Sequence, residues 1–196
     1  MELKNYQKYR WFFTSSGNLV VGGKSALQND EIINVMKGKK IDFTIMHTSS
    51  PGSPFSIIFS EEEPSTADLH EGAIFTASFS KAWKNLRKNE EIHIFKISQL
   101  KKGWGMKTGT WGVVGAINKI SVNLGLVLTK QKGKLRAVPE ESVKSKKDIL
   151  LRIYPGKIDK VNMLPKISME LEEGFSQDEI LSALPAGGLE IVKNKK

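Results

Sequence analysis

The sequence predicts an α+β fold: a mostly antiparallel sheet built from hairpins, a long helix packed on it, and a small α/β C-terminal lobe. Three observations predict this. Short runs of alternating apolar residues are separated by Gly, Ser, Asn and Pro turns, which reads as successive hairpins. Three stretches carry helical spacing behind capping residues. Between residues 140 and 148 the pattern dissolves into a charged connector before regular structure resumes. A chain of 196 residues is long enough to bury roughly 70% of the surface its unfolded form exposes. The expected division is therefore 1–139, with 140–196 packed on or beside it.

Each element follows in chain order. Tyr9, Trp11 and Phe13 lie on a strand that turns at Ser15-Ser16-Gly17-Asn18 and returns through Leu19 to Val21. Gly22 and Gly23 free the backbone before Ser25, which caps a helix over 26–36 with Gln28 at the reciprocal position. Leu27, Ile32, Ile33 and Met36 form its apolar side, and Gly38 stops it. Gly23-Lys24-Ser25 resembles the end of a phosphate-binding P-loop, but the glycine the pattern needs five residues earlier is Asn18. Ile41, Phe43, Ile45 and His47 alternate on a strand, and Ser50-Pro51-Gly52 turn the chain into a second one over 55–59. Ser65 and Asp68 cap the longest helix, expected to run to about Leu86 with Trp83 in the core. A strand follows at 92–98. ISVNLGLVLT, residues 120–129, reads as one continuous strand, paired through a turn at 130–134 with LRAVP. Beyond the connector come a strand at 148–156, a helix begun or interrupted near Pro165, a helix capped by Ser176 and Glu179, and a final strand through LPAGGLEIV.

Composition excludes several function classes. The chain has no cysteine, so disulfides, thiol nucleophiles and thiolate metal sites are ruled out. His47, His70 and His93 have no neighbouring ligand pattern, and no metal or other cofactor is expected. The longest apolar runs are too short to cross a bilayer and the first residues lack an apolar signal region, so a cytoplasmic protein without membrane partners is expected. Net charge is +9, and its distribution is uneven. Residues 1–80 hold 7 Lys/Arg against 9 Asp/Glu, residues 81–136 hold 13 against 2, and residues 137–196 hold 10 against 10. A concentrated positive field draws polyanions, and the expectation is that these cations share one surface; the alternative is a lysine-rich solvated face. Lys81, Lys84 and Lys88 fall at helical spacing with Arg87 adjacent, although the dipole of a helix C-terminus also favours cations there. Lys101, Lys102, Trp104, Lys107 and Trp111 are set among four glycines. Lysines make phosphate contacts of no sequence preference, and tryptophan stacks on unpaired bases. Trp111 reads equally well as a plug at the end of a sheet. His47 reads first as a structural residue tying down its loop, then as a ligand to phosphate or ribose, and last as a general base, for which no local carboxylate orients the ring.

The residues that carry a wider resemblance are Arg10-Trp11-Phe12, Thr14-Ser15, Gly17, Gly22-Gly23-Lys24, Ala26 and Gln28-Asn29-Asp30. His47, Gly52-Ser53-Pro54, Ser80-Lys81-Ala82-Trp83 and Gly109-Thr110-Trp111 continue the pattern. Over residues 6–128 the chain resembles the NFACT-R domain, a former domain of unknown function, in its stand-alone archaeal type. Lys24 stands where the family usually has arginine, Ser25 where it has aspartate, and Gly115-Ala116-Ile117-Asn118 where many members have a basic Gly-Lys-Lys-Asn. The resemblance implies RNA binding in translation or ribosome quality control. Larger relatives add an N-terminal domain, helix-hairpin-helix elements and a coiled coil, so their carboxy-terminal tailing activity is not carried over.

Charge and resemblance together point to a module that binds structured RNA, transfer or ribosomal, as partner, with the ribosome and DNA as further polyanionic partners. Phosphate contacts are expected from Lys24, Lys81, Lys84, Arg87, Lys88, Lys101, Lys102 and Lys107, with His47, Trp104 and Trp111 against bases or ribose. No catalytic residues are assigned. An RNA-processing enzyme needs a carboxylate pair, and Glu90 and Glu91 in the basic region point to opposite faces of a strand. A protein-interaction adaptor in a translation complex is the remaining alternative. Oligomeric state has no signature in the sequence.

Overall fold

A computed structural model describes residues 3, 5–171 and 174–193. The fold is α+β, and every strand pairing is antiparallel. A six-stranded sheet has the order β1 (Arg10–Phe13), β2 (Leu19–Gly22), β4 (Ser56–Phe59), β3 (Thr44–Thr48), β5 (Asn89–Lys96), β8 (Asn118–Asn123). A four-stranded sheet runs β10 (Lys134–Val138), β9 (Leu126–Gln131), β11 (Leu151–Asp159), β12 (Gly188–Val192). It draws strands from both sides of residue 140. A two-stranded ribbon, β6 (Leu100–Lys101) and β7 (Gly112–Val113), carries the glycine-rich loop.

The alternation read from the sequence distributes side chains to two cores. On one face of the large sheet Trp11, Val21, Ile45 and Ile57 meet Ile32, Ile33 and Met36 of α1 (Ala26–Lys37). On the other face Phe12, Val20, Met46 and Ile58 meet Ala73, Phe75 and Ala77 of α2 (Thr66–Ser78). This second core continues into the small sheet and the helices α4 (Lys160–Leu171) and α5 (Gln177–Ala183), through Leu128, Ile153, Ile167 and Ile180. Leu27, expected in the core, is 70% exposed in the first turn of α1, and the apolar side is formed by Ile32, Ile33 and Met36.

The free edge of β1 is closed by side chains rather than by a strand. Gln131 accepts from the Phe13 amide at 2.7 Å and donates to the Phe13 carbonyl at 2.9 Å. Arg136 donates from Nε to the Trp11 carbonyl at 3.1 Å, with its guanidinium 4.6 Å from the Trp11 ring. Backbone groups that would otherwise recruit another chain are thus satisfied, and the two sheets are tied together.

Three boundaries differ from those expected. The helix predicted to reach Leu86 ends at Ser78, and a separate short helix, α3 (Lys81–Lys84), starts behind Ser80, whose hydroxyl accepts from the Ala82 amide at 3.0 Å. Lys88 consequently falls outside any helix and the expected cationic side does not form. The predicted strand 120–129 is two strands in two sheets, β8 and β9. The chain bends at Gly125, where a Cβ would lie 2.8 Å from the Tyr154 ring. Finally, α4 runs through Pro165.

Capping signals were realised as read: Ser65 with Asp68, and Ser176 with Glu179, form reciprocal pairs. Lys132 and Gly133, both at positive φ, make the tight turn of the β9–β10 hairpin, as a two-residue connection matching strand twist requires.

Candidate nucleic-acid interface

Three of the four motif stretches, far apart in sequence, line one cleft of about 540 Å³, and the fourth reaches its rim through Lys81 against Gly52. Its walls are Arg10, the segment 23–26, His47 with the 48–55 turn, Phe79, His93, Phe95 and the 108–111 loop. Each motif residue has a local reason. Gly22 lets Pro54 approach, since a Cβ there would lie 2.9 Å from the Pro54 Cβ. Gly23 clears the Asn29 side chain, whose Oδ1 would be 2.3 Å from such a Cβ. That freed Oδ1 accepts from the Phe55 amide at 3.3 Å, latching the start of α1 to the turn. Ser25 caps α1 by accepting from the Gln28 amide at 3.2 Å, while Gln28 reaches back to the Lys24 amide at 2.9 Å.

On the opposite wall, Gly52 at φ +116° receives the Lys81 stem, and the Lys81 amide donates to the Gly52 carbonyl at 2.9 Å. Lys81 is thereby held at the rim. Trp83 is fully buried and donates to the Gly188 carbonyl at 2.9 Å, so it anchors α3 and is inaccessible to any ligand.

Asp30 organises the glycine-rich loop. It accepts from the Gly109 amide at 3.0 Å, from Trp111 Nε1 at 2.7 Å and from Lys102 at 3.1 Å. Burial opposes its ionisation, but these bonds outweigh burial and hold the carboxyl below the usual carboxylate range. Trp111, half-buried, lines the cleft with Lys102 5.0 Å and Lys37 5.3 Å from its ring. Trp104 at the loop tip is 105% exposed, an indole held by nothing in the protein.

His47 stacks on Phe55 with centroids 4.4 Å apart, and its Nδ1 lies 2.7 Å from the Thr48 carbonyl. A carbonyl can only accept, so Nδ1 carries the proton. Burial, reinforced by His93 across the strand pair and opposed by the Thr48 bond, lowers its pKa. The ring is therefore neutral near pH 7, with Nε2 left as an acceptor.

Of the residues expected in a site, Lys24, His47 and Trp111 line the cleft and Lys81 borders it. Lys101, Trp104 and Lys107 are exposed on the adjoining loop. The others lie apart: Lys84 packs against Gly187, Arg87 pairs with Glu90 at 2.8 Å, and the Lys88 carbonyl accepts from Leu124. The expectation that the central cations form one uncompensated surface is corrected here. Lys102 pairs with Asp30, Lys96 with Glu63 at 2.6 Å and Lys119 with Glu91 at 3.1 Å, while Arg136 is buried. Folding brings Asp30 of α1 and Glu63 of the loop before α2 beside Lys102 and Lys96, a compensation that no charge count along the chain reveals.

The cleft also holds a cation that sequence reasoning passed over. Arg10 stacks on Phe79 at 4.6 Å, and burial lowers its pKa to about 10. Arg136 behind it is likewise lowered to about 10, by burial and by Arg10. Lys24 is lowered by burial, Arg136 and Arg10 in that order. Arg10 stands in the motif, but nothing local marks it as a binding cation; only folding places it beside Lys24 and Arg136.

Over 203 residues the chain is 29% identical to the archaeal Rqc2 homolog aRqcH of Methanocaldococcus jannaschii, covering 98% of this chain and 30% of that protein's length. Among solved structures it resembles the C-terminal part of the fibronectin/fibrinogen-binding protein of Streptococcus suis, with TM-score 0.51, 22% identity, and coverage of 59% of this chain and 45% of that one; at that identity the likeness speaks to fold. Residues 8–115 match the family described as NFACT protein RNA binding domain, so the stretch that builds the cleft is the stretch that defines the family, and the chain belongs to it.

Proposed function

We propose that this chain binds structured RNA, transfer or ribosomal, in ribosome-associated quality control, by docking phosphates along the cleft and its glycine-rich loop. The family's RNA-binding description and the Rqc2 relationship of the archaeal protein support the setting. The observation that carries the reading is the pairing, on one side of the molecule, of an uncompensated cationic cleft with a fully exposed tryptophan. Lys24, Arg10 and Lys81 meet the backbone, Lys101 and Lys107 extend the contact, and Trp104 stacks on an unpaired base. His47, neutral and with Nε2 as acceptor, suits a ribose hydroxyl, the group that separates RNA from DNA.

Binding rather than catalysis is the role the site favours. Among the described residues no carboxylate lines the cleft, and Asp30 is spent on holding the loop. The test is fluorescence anisotropy with mixed transfer RNA over a salt series. Log affinity should fall linearly with log salt, and Lys101→Glu with Lys107→Glu should flatten the slope by about 0.7–0.9 for each phosphate contact removed. A slope near zero would end the phosphate-docking reading.

A further inference from the structure

Cations gather in and behind the cleft. Arg10 and Lys24 line the cavity, Arg136 lies within electrostatic reach of both, and Lys160 within reach of Arg10. Among the described residues no carboxylate pairs with Arg10, Lys24 or Arg136. Partly buried like charges left together in this way cost stability unless an anion joins them. An internal phosphodiester carries one negative charge. A terminal phosphomonoester carries nearly two at neutral pH and three free oxygens, a closer match to the forked guanidinium of Arg10 and the ammonium of Lys24. The start of α1 adds donors at the same spot. Ser25 and Ala26 line the cavity, and the Ala26 and Leu27 amides have no hydrogen-bond partner among the described residues. Exposed first-turn amides favour an anion.

We propose that the cleft contains a subsite for the terminal phosphomonoester of an RNA chain, contacted by Arg10, Lys24 and the first-turn amides of α1, with Arg136 and Lys160 raising the potential from behind. The inference rests on the RNA-binding reading and makes it specific to chain ends. An internal segment would place one charge among three or four cations, whereas an end seats a dianion and lets the terminal ribose face His47.

The test compares one oligoribonucleotide sequence in three forms, 5′-phosphorylated, 3′-phosphorylated and hydroxyl at both ends, titrated against the full chain. One phosphorylated form should bind about tenfold tighter than the hydroxyl form, the worth of a hydrogen bond between charged groups. The two phosphorylated forms distinguish which end is read. The preference should fall below about twofold in both Arg10→Gln and Lys24→Gln. Lys24 is exposed, so its variant carries the test if loss of the Arg10–Phe79 stacking prevents folding. Equal binding of all three forms overturns the subsite and leaves RNA binding standing; no binding of any form overturns the broader reading. A preference that survives both substitutions places the recognition elsewhere. Uridine monophosphate competing as well as the oligonucleotide would make the ligand a free nucleotide and overturn the assignment to RNA.

Discussion

Replacing Asp30 with alanine should release the glycine-rich loop while leaving the rest of the protein folded. The carboxylate receives three donors, from Gly109, Trp111 and Lys102. Hydrogen bonds to a charged acceptor are worth about 1.5–3 kcal/mol each. The Lys102 contact is at the low end, because its side chain is 31% exposed and such pairs contribute under about 1 kcal/mol. The two remaining bonds give a loss of roughly 3–6 kcal/mol, confined to the loop that the two-stranded ribbon carries. At about 1.4 kcal/mol per decade, exchange of the Gly109 amide with solvent should accelerate by at least two decades, and Trp111 fluorescence should shift to the red. The melting temperature should barely move, since the loop opens locally. The same anchor makes a pH statement. A carboxyl whose folded pKa is depressed stabilises at neutral pH and loses that contribution as pH falls through its folded value, so the wild-type loop should open only in acid, below the ordinary carboxylate range. Unchanged Gly109 exchange in the alanine variant would refute the assignment of Asp30 as the anchor.

Two further outcomes follow from the same geometry. Trp104→Ala should weaken single-stranded RNA binding by about tenfold, within the 1–3 kcal/mol of a base stack, without a change in melting temperature; a lowered melting temperature would mean that the indole packs in the protein after all. Gly109→Ala should displace the loop from α1, because Gly109 has φ +77° and a Cβ there would lie 2.6 Å from the Ala26 Cβ. Its cost should be about 1–3 kcal/mol of local stability, read by proteolysis within residues 101–111, and resistance equal to wild type would contradict the close approach.

What the sequence disclosed was local. Capping by Ser25, Ser65 and Ser176 and the hairpins at 14–18 and 131–134 all rest on interactions spanning a few residues. The errors arose where tertiary contact decides. Leu126 and Leu128 continue the alternation of Ile120 and Val122 because both strands face the same core, so periodicity runs unbroken through the bend that Tyr154 imposes at Gly125. Ser80 did carry a signal: a serine followed by a short amphipathic turn is a cap, and it marks the end of α2. The site was half legible. Lys24, His47 and Trp111, singled out through motif and composition, lie on the cleft, whereas Arg10 and Asp30 become candidates for these roles only through partners 69 to 126 residues away in sequence, Phe79, Gly109 and Arg136 among them. The middle-third charge surplus misled in part, since Glu63 and Asp30 neutralise Lys96 and Lys102 from across the fold.

Photocrosslinking of the full chain to transfer RNA, followed by mapping of the attached peptides, tests most directly that RNA lies along the cleft. Crosslinks should fall in residues 8–26, 47–54 and 101–111, with Trp104 the most heavily modified position. Crosslinks gathered on α4, α5 and β12, with none around the cleft, would contradict it.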